Sequence, residues 1–193
     1  MEIIKLSDTA EIIYLKDFLS DELQQELYKH LISNDNIKWT QGVYNIFGKS
    51  VNTPRLLWAM RDEESMVNEK YTVTDSCVWT DLIKRVKIAI EHIINRKLTY
   101  AQLNYYRNGE DYIGWHTDKE LSDGDIIVSL SLGATRTFQF HQISNKDNKY
   151  ELELEGGSLL IMNSAAAKSE FKHQLPKRKK VKEGRINITF REK

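Results

Sequence analysis

Beyond residue 97 the chain changes character, and that change limits the fold more than any other feature. Short strand-like runs follow one another: 100–107 (YAQLNYYR), 126–132 (IIVSLSL), 136–141 (RTFQFH), 150–154 (YELEL), 158–163 (SLLIMN) and 185–191 (RINITFR). Turn signals separate them, including Asn108-Gly109, Asp123-Gly124 and Gly156-Gly157. Upstream the period is helical. Ser20 is placed to cap a helix carrying Leu23, Leu27, His30 and Leu31. A second helix is predicted from about Asp81, with Thr80 as its cap and one apolar stripe of Leu82, Val86, Ile90 and Ile93. Helices first and many short strands afterwards predict an α+β, mainly β fold. The expected form is a double-stranded β-helix (jelly roll), with the two helices of the N-terminal half packed on one sheet.

The 193 residues suit one domain, and two prolines and nine glycines leave no segment that reads as an interdomain linker. With 40% hydrophobic and 29% charged residues, a disordered chain, a collagen-like repeat and a coiled coil are excluded. The formal net charge is zero but unevenly spread. Residues 1–35 hold eight acids against three bases, a net of −5, and residues 166–193 hold ten bases against three acids, a net of +7. Any nucleic-acid binding must therefore use a local patch. The single cysteine, Cys77, suits a reducing, intracellular compartment. The first 20 residues offer no uninterrupted apolar stretch and no run reaches 18 apolar residues, so neither a signal peptide nor a membrane helix is expected.

Two groups of residues carry candidate chemistry. His116 and Asp118 are two apart, so an extended strand would project them to the same face, about 7 Å apart. His173, 55 residues after Asp118, is a candidate third ligand. Two histidines and a carboxylate form the facial triad of non-haem iron, which leaves positions open for a co-substrate and dioxygen. Chance alone gives about 0.3 His-x-Asp pairs in a chain of this composition, so the pair by itself also fits a turn histidine bonded to a carboxylate. The run 185–191 alternates strictly, with Arg185, Asn187, Thr189 and Arg191 on one face and Ile186, Ile188 and Phe190 on the other. The arginine face suits a dicarboxylate, since guanidinium groups grip carboxylates bidentately; a solvated edge strand would alternate in the same way. Asn104 and Tyr106 share a face of the run 102–107 and are placed to bond the same ligand or the solvent.

The order of these pieces is more specific than any one of them. The chain reads LNYYRNGEDYIGWHTDKE, then SLSLGATRTFQF, GSLLIMN, KHQLPKR and GRINITFR. From about residue 40 to residue 191 this resembles the AlkB family of iron(II)- and 2-oxoglutarate-dependent dioxygenases, most nearly the animal homologues that act on double-stranded DNA. The resemblance implies a single catalytic domain over 1–193, with nucleotide-recognition hairpins and a supporting helix at about 40–98 and the jelly-roll core at about 99–191. It implies His116, Asp118 and His173 as iron ligands, and Arg185 and Arg191 as carboxylate partners of 2-oxoglutarate, supported by Asn104, Tyr106 and Asn187. Glu120 matches an acidic residue that reads the exocyclic amino group of a damaged base. The stretch IFGKSVNTPR matches a base-flipping hairpin. Phe47 then stands where an aromatic wedge enters the duplex, and Arg55 where an arginine lies beside the flipped base. Tyr71 matches a tyrosine of the substrate pocket.

The cofactors implied are Fe(II), 2-oxoglutarate and O2, and the partner is DNA, with RNA as the alternative; a monomer is expected. The implied reaction is oxidative demethylation of 1-methyladenine and 3-methylcytosine with base flipping, releasing formaldehyde and succinate. The same chemistry on RNA or protein, or a non-catalytic jelly-roll module that binds nucleic acid, are the rival readings. The basic run 177–182 reads as a solvated or phosphate-contacting loop. One departure stands out. Val73 occupies the place of an aromatic that stacks on the flipped base, a contact worth about 1–3 kcal/mol. Trp58 and Met60 are the neighbouring candidates to replace it.

Overall fold

The computed structural model describes residues 1–46, 48–62 and 76–192. In chain order the elements are β1 (Glu2–Lys5), β2 (Glu11–Leu15), α1 (Asp21–Ser33), β3 (Thr40–Ile46), β4 (Lys49–Arg61), β5 (Cys77–Val78) and α2 (Asp81–Ile94). There follow β6 (Tyr100–Tyr106), β7 (Ile113–His116), β8 (Ile126–Gly133), β9 (Arg136–Gln142), β10 (Lys149–Leu154) and β11 (Leu159–Asn163). A single π-helical turn (Ala165–Ser169), β12 (Phe171–Leu175) and β13 (Arg185–Arg191) complete the chain.

The large sheet has the order β1-β2-β11-β8-β13-β6-β4-β3, with β5 parallel to β4. The small sheet runs β10-β9-β12-β7. From β6 onward the chain crosses repeatedly between the two, which is the winding of a jelly roll. The fold class predicted from sequence is therefore the one observed. All six predicted strands are present, and β13 is central, hydrogen-bonded to β6 on one side and β8 on the other. A solvated edge is ruled out for it.

Both faces of the large sheet are covered. The outer face meets the helices in a core that includes Leu27, Leu31, Ile83, Val86, Ile90, Leu103, Leu130, Ile186, Ile188 and Phe190. The inner face meets the small sheet in a second core, around Ile12, Tyr14, Leu160, Phe140 and Phe171. Helix α1 starts where expected, with the Ser20 hydroxyl accepting from the Leu23 N–H at 3.3 Å. Thr80 occupies the cap position of α2, but its hydroxyl bonds His30 Nε2 at 2.9 Å and makes no cap bond.

The buried face of α2 differs from the predicted stripe. Ile83, Val86 and Ile90 are buried, while Ile93 is half exposed. At about 100° per residue, the face centred on Ile83 and Ile90 also contains Lys87 and Glu91. These two are buried as an ion pair at 2.9 Å, and Glu91 accepts from the Leu98 N–H at 2.8 Å. Charged residues on the core side hid the true face from an apolar count.

Leu130 sits at the middle of the sheet with no exposed surface. Leu130→Ala is expected to cost about 2–5 kcal/mol, the range for a truncated buried leucine. Urea unfolding followed by circular dichroism measures it, and a loss under 1 kcal/mol would contradict this packing.

Candidate active site

The inner faces of β6, β8 and β13 carry polar residues where the neighbouring strands carry apolar ones. Between them and the small sheet lies a cavity of about 250 Å³. The large sheet supplies Asn104, Tyr106, Ser129, Arg185, Asn187, Thr189 and Arg191, and the small sheet supplies His116 and His173. Strict alternation explains the first set, since each residue's neighbours in the strand face the helices.

His116 and His173 are direct cross-strand partners on β7 and β12, with ring centroids 4.3 Å apart. Strand β7 ends at His116, so Asp118 is not on a strand as predicted. It stands in the following turn, where its N–H donates to the Ala167 carbonyl of the π turn at 3.0 Å. Buried Ala166 and Ala167 let that turn approach closely. Asp118 Oδ2 lies 3.3 Å from His173 Nε2. One ligand atom from each of His116, Asp118 and His173 falls within 4.8 Å of the others. The three residues singled out in the sequence are thus brought together, with Asp118 in a turn and not on a strand.

Electrostatics favour cation binding here. His116 Nδ1 lies 2.8 Å from the Gly114 carbonyl, which can only accept, so Nδ1 carries the hydrogen and Nε2 keeps its lone pair. Burial, followed by the nearby His173, pushes His116 down to about 4, so the ring is neutral at pH 7. Burial alone would raise Asp118, but its contacts with His173, Arg191 and His116 hold it well below the ordinary carboxylate range. Two imidazoles and one carboxylate are the donor set of an octahedral iron(II) site with open positions, and the spacing fits one ion.

The two arginines differ. Arg191 Nη2 lies 3.0 Å from Glu120 and 3.5 Å from Asp118, beside the triad. Arg185, six residues earlier on β13, is fully buried and forms no ion pair among the described residues. Its Nη2 donates to Ser131 Oγ at 2.9 Å, its Nε has no partner, and its guanidinium lies 5.4 Å from the centre of the Tyr106 ring. Burial pushes it down to about 10, Tyr106 acts the other way, and nearby Arg136 lowers it further, yet it stays cationic at neutral pH. A buried cation without a counter-ion is costly, so this geometry calls for an anionic ligand.

Asn104 lines the cavity, and its Oδ1 accepts from Arg55 Nε at 2.7 Å. Asn187 donates to Ser129 Oγ and to the Leu130 carbonyl, and its Oδ1 accepts from Thr189. Arg55 is buried in the cavity wall, and neither Asp62 nor any other carboxylate pairs with it among the described residues. Glu120 lines the mouth. Phe47, Tyr71 and Val73 lie outside the described residues. Trp58 and Met60 belong to the helix-side core, on the opposite face of β4 from the cavity, so neither can stack on a base there.

Three residues went unnoticed in the sequence. Ser129 and Ser131 orient Asn187 and Arg185, and the alternation SLSL of β8 was their signal. Arg136, fully buried, donates to the carbonyls of Asn108, Asp111 and Pro176 and ties the loops before β7 and after β12 together. Nothing in the sequence marks it. The basic run 177–182 belongs to this anchored loop. Gly109 exchanges backbone hydrogen bonds with Arg178 and Val181, and a Cβ there would meet the Arg178 carbonyl at 1.7 Å. Lys179, Lys180 and Lys182 are exposed.

A jelly roll holding a His-Asp-His cluster beside a buried arginine with no counter-ion among the described residues offers the donors for a metal ion and, next to them, a place for an anion. Comparison with known proteins gives the family. Residues 11–191 match the 2OG-Fe(II) oxygenase superfamily. The bovine (Bos taurus) DNA oxidative demethylase ALKBH2 is 30% identical over 181 residues, covering 89% of this chain and 64% of that protein. The human (Homo sapiens) alpha-ketoglutarate-dependent dioxygenase alkB homolog 3 is 34% identical over 148 residues, covering 72% of this chain and 51% of that protein. The chain thus spans between half and two thirds of the length of these two relatives. A solved structure, OsALKBH1, shares the fold with a TM-score of 0.66 at 19% identity, over 94% of this chain and 97% of that one. The chain belongs to the 2OG-Fe(II) oxygenase superfamily and, within it, to the AlkB family. The cofactors of that superfamily, iron(II) and 2-oxoglutarate, fit the donor set of the cluster and the buried Arg185.

Asp118→Ala and His173→Ala are each expected to abolish stoichiometric Mn(II) uptake. Electron paramagnetic resonance of the free ion reads this, with circular dichroism as the folding control. Full uptake by either variant would place the metal elsewhere.

Proposed function

We propose that this chain is an Fe(II)- and 2-oxoglutarate-dependent dioxygenase that oxidatively demethylates N-alkylated bases in DNA, with 1-methyladenine and 3-methylcytosine as substrates. The observation that carries the dioxygenase reading is the buried Arg185 cation facing the same cavity as the triad. The DNA reading is supported by the name of the ALKBH2 relative and by the β3–β4 hairpin, whose second strand brings Arg55 to the cavity wall. When bound, iron(II) with 2-oxoglutarate and O2 supplies the oxidation, in which the co-substrate becomes succinate and carbon dioxide and the methyl group leaves as formaldehyde.

The protein's own part is binding, orientation and electrostatics. His116, Asp118 and His173 would hold the metal at the cavity wall. Arg185 takes the distal carboxylate of 2-oxoglutarate in a bed made by Tyr106 and Ser131. Asn104 donates to the co-substrate, and Asn187 acts from behind through the strand. Arg191 sits at the triad end of the cavity, paired with Glu120 and helping to hold Asp118 well below the ordinary carboxylate range, where it would face the keto-acid carboxylate. Glu120 at the mouth accepts from the exocyclic amino group of the base.

A methyl group on the Watson–Crick edge is unreachable inside a duplex, so the nucleotide must be flipped out. A base whose pairing is already blocked costs least to flip, which gives selectivity for damage. Phe47 fills the vacated stack, Arg55 and Tyr71 flank the base, and exposed Lys179, Lys180 and Lys182 meet phosphates.

Formaldehyde release from oligonucleotides carrying each base tests the proposal, with methylated RNA and peptide as parallel arms. Turnover of the DNA substrates is expected, and no product with either base would contradict it. Phe47→Ala is expected to lose activity on duplex more than on single strands. An equal loss on both would remove the wedge from the account.

A further inference from the structure

The hydrogen bond between Arg55 and Asn104 assigns Arg55 a role beyond flanking a base. Arg55 Nε can only donate, so the Asn104 atom it meets at 2.7 Å must be the amide oxygen. That bond fixes the amide against rotation by half a turn. It leaves both hydrogens of Asn104 Nδ2 for the cavity, and Nδ2 has no partner among the described residues. Without Arg55 the amide is free to present its oxygen instead, which would repel an anionic ligand.

The hairpin is built to hold Arg55 there. Pairing runs Gln41↔Leu56 and then Val43↔Asn52, so the single residue Gly42 of β3 faces Thr53, Pro54 and Arg55 of β4. Such a bulge bends and twists its strand, and Pro54 has no N–H to leave unpaired in it. Buried Thr53 closes the gap: its hydroxyl accepts from the Gly42 N–H at 3.0 Å and donates to the Arg55 carbonyl at 2.8 Å. A Cβ on Gly42 would come to 3.0 Å from Leu57 Cδ1 and 3.1 Å from Thr53 Cγ2, so these side chains pack closely against the bulge.

We propose that Arg55 is a positioning residue for the anionic co-substrate, acting by locking the Asn104 amide so that its N–H groups face the ligand. This rests on the reading above that Asn104 donates to 2-oxoglutarate. The test is calorimetric binding of 2-oxoglutarate to the Mn(II)-loaded protein without nucleic acid. Arg55→Met and Asn104→Ala are each expected to weaken binding about five- to tenfold, the worth of one hydrogen bond, and the double variant no further. Asn104→Asp keeps a partner for Arg55 but loses the donors, so it is expected to retain the wild-type melting temperature while losing 2-oxoglutarate affinity. Wild-type binding by Arg55→Met, or losses that multiply in the double variant, would overturn the proposal. A wild-type protein that takes up Mn(II) but does not bind 2-oxoglutarate would overturn the dioxygenase reading, and this proposal with it.

Discussion

The buried guanidinium of Arg185 organises the ligand end of the structure. It is buried in the cavity wall with no carboxylate beside it among the described residues, so the side chains around it offer its charge neutral dipoles and an aromatic face. Tyr106 lies between two such cations, with Arg136 at 5.8 Å and Arg185 at 5.4 Å from its ring centre. Arrangements of this kind are expensive in an apolar interior, and truncating one partner of a paired buried charge commonly costs about 3–5 kcal/mol. Arg136 is met by three backbone carbonyls, whereas Arg185 faces the cavity and calls for an anionic ligand there. The seat is therefore prepared before the ligand arrives, with the donors fixed by strand register and not by loops.

The two sheets divide the labour. The outer face of the large sheet packs on the helices, and its inner face presents Asn104, Asn187, Arg185 and Arg191 to the cavity. The small sheet contributes the imidazoles from two adjacent strands, so their spacing is set by cross-strand pairing. Of the three clustered side chains Asp118 alone comes from a turn, and the π turn, a local irregularity of the kind often found at functional sites, holds its backbone. Arg191 links the two halves, reaching from β13 to Asp118 of the triad and to Glu120 beside it.

Much of this was legible in the sequence, for reasons that differ by element. Strand β13 announced itself because both of its faces are buried for different purposes, so its alternation was complete. The jelly roll followed from regularly spaced short strands. Strands β7 and β12 left no hydrophobic signal: they are four and five residues long, and His116 and His173 take inward positions that would otherwise be apolar. Strand β4 was hidden by Pro54 and its bulge. Lys87 and Glu91 disguised the buried face of α2, because a pair satisfied in three dimensions looks like a polar surface in one. Arg136 is the extreme case. Its three acceptors are backbone carbonyls of distant loops, and no side-chain pattern encodes them.

The central claim is that Arg185 awaits the distal carboxylate of a keto-acid dicarboxylate. It is tested most directly by comparing 2-oxoglutarate with 2-oxopentanoate, which replaces that carboxylate with a methyl group, in titrations of the Mn(II)-loaded protein. A charge-assisted bond predicts roughly 10- to 100-fold tighter binding of 2-oxoglutarate. Equal affinities for the two acids would contradict the account.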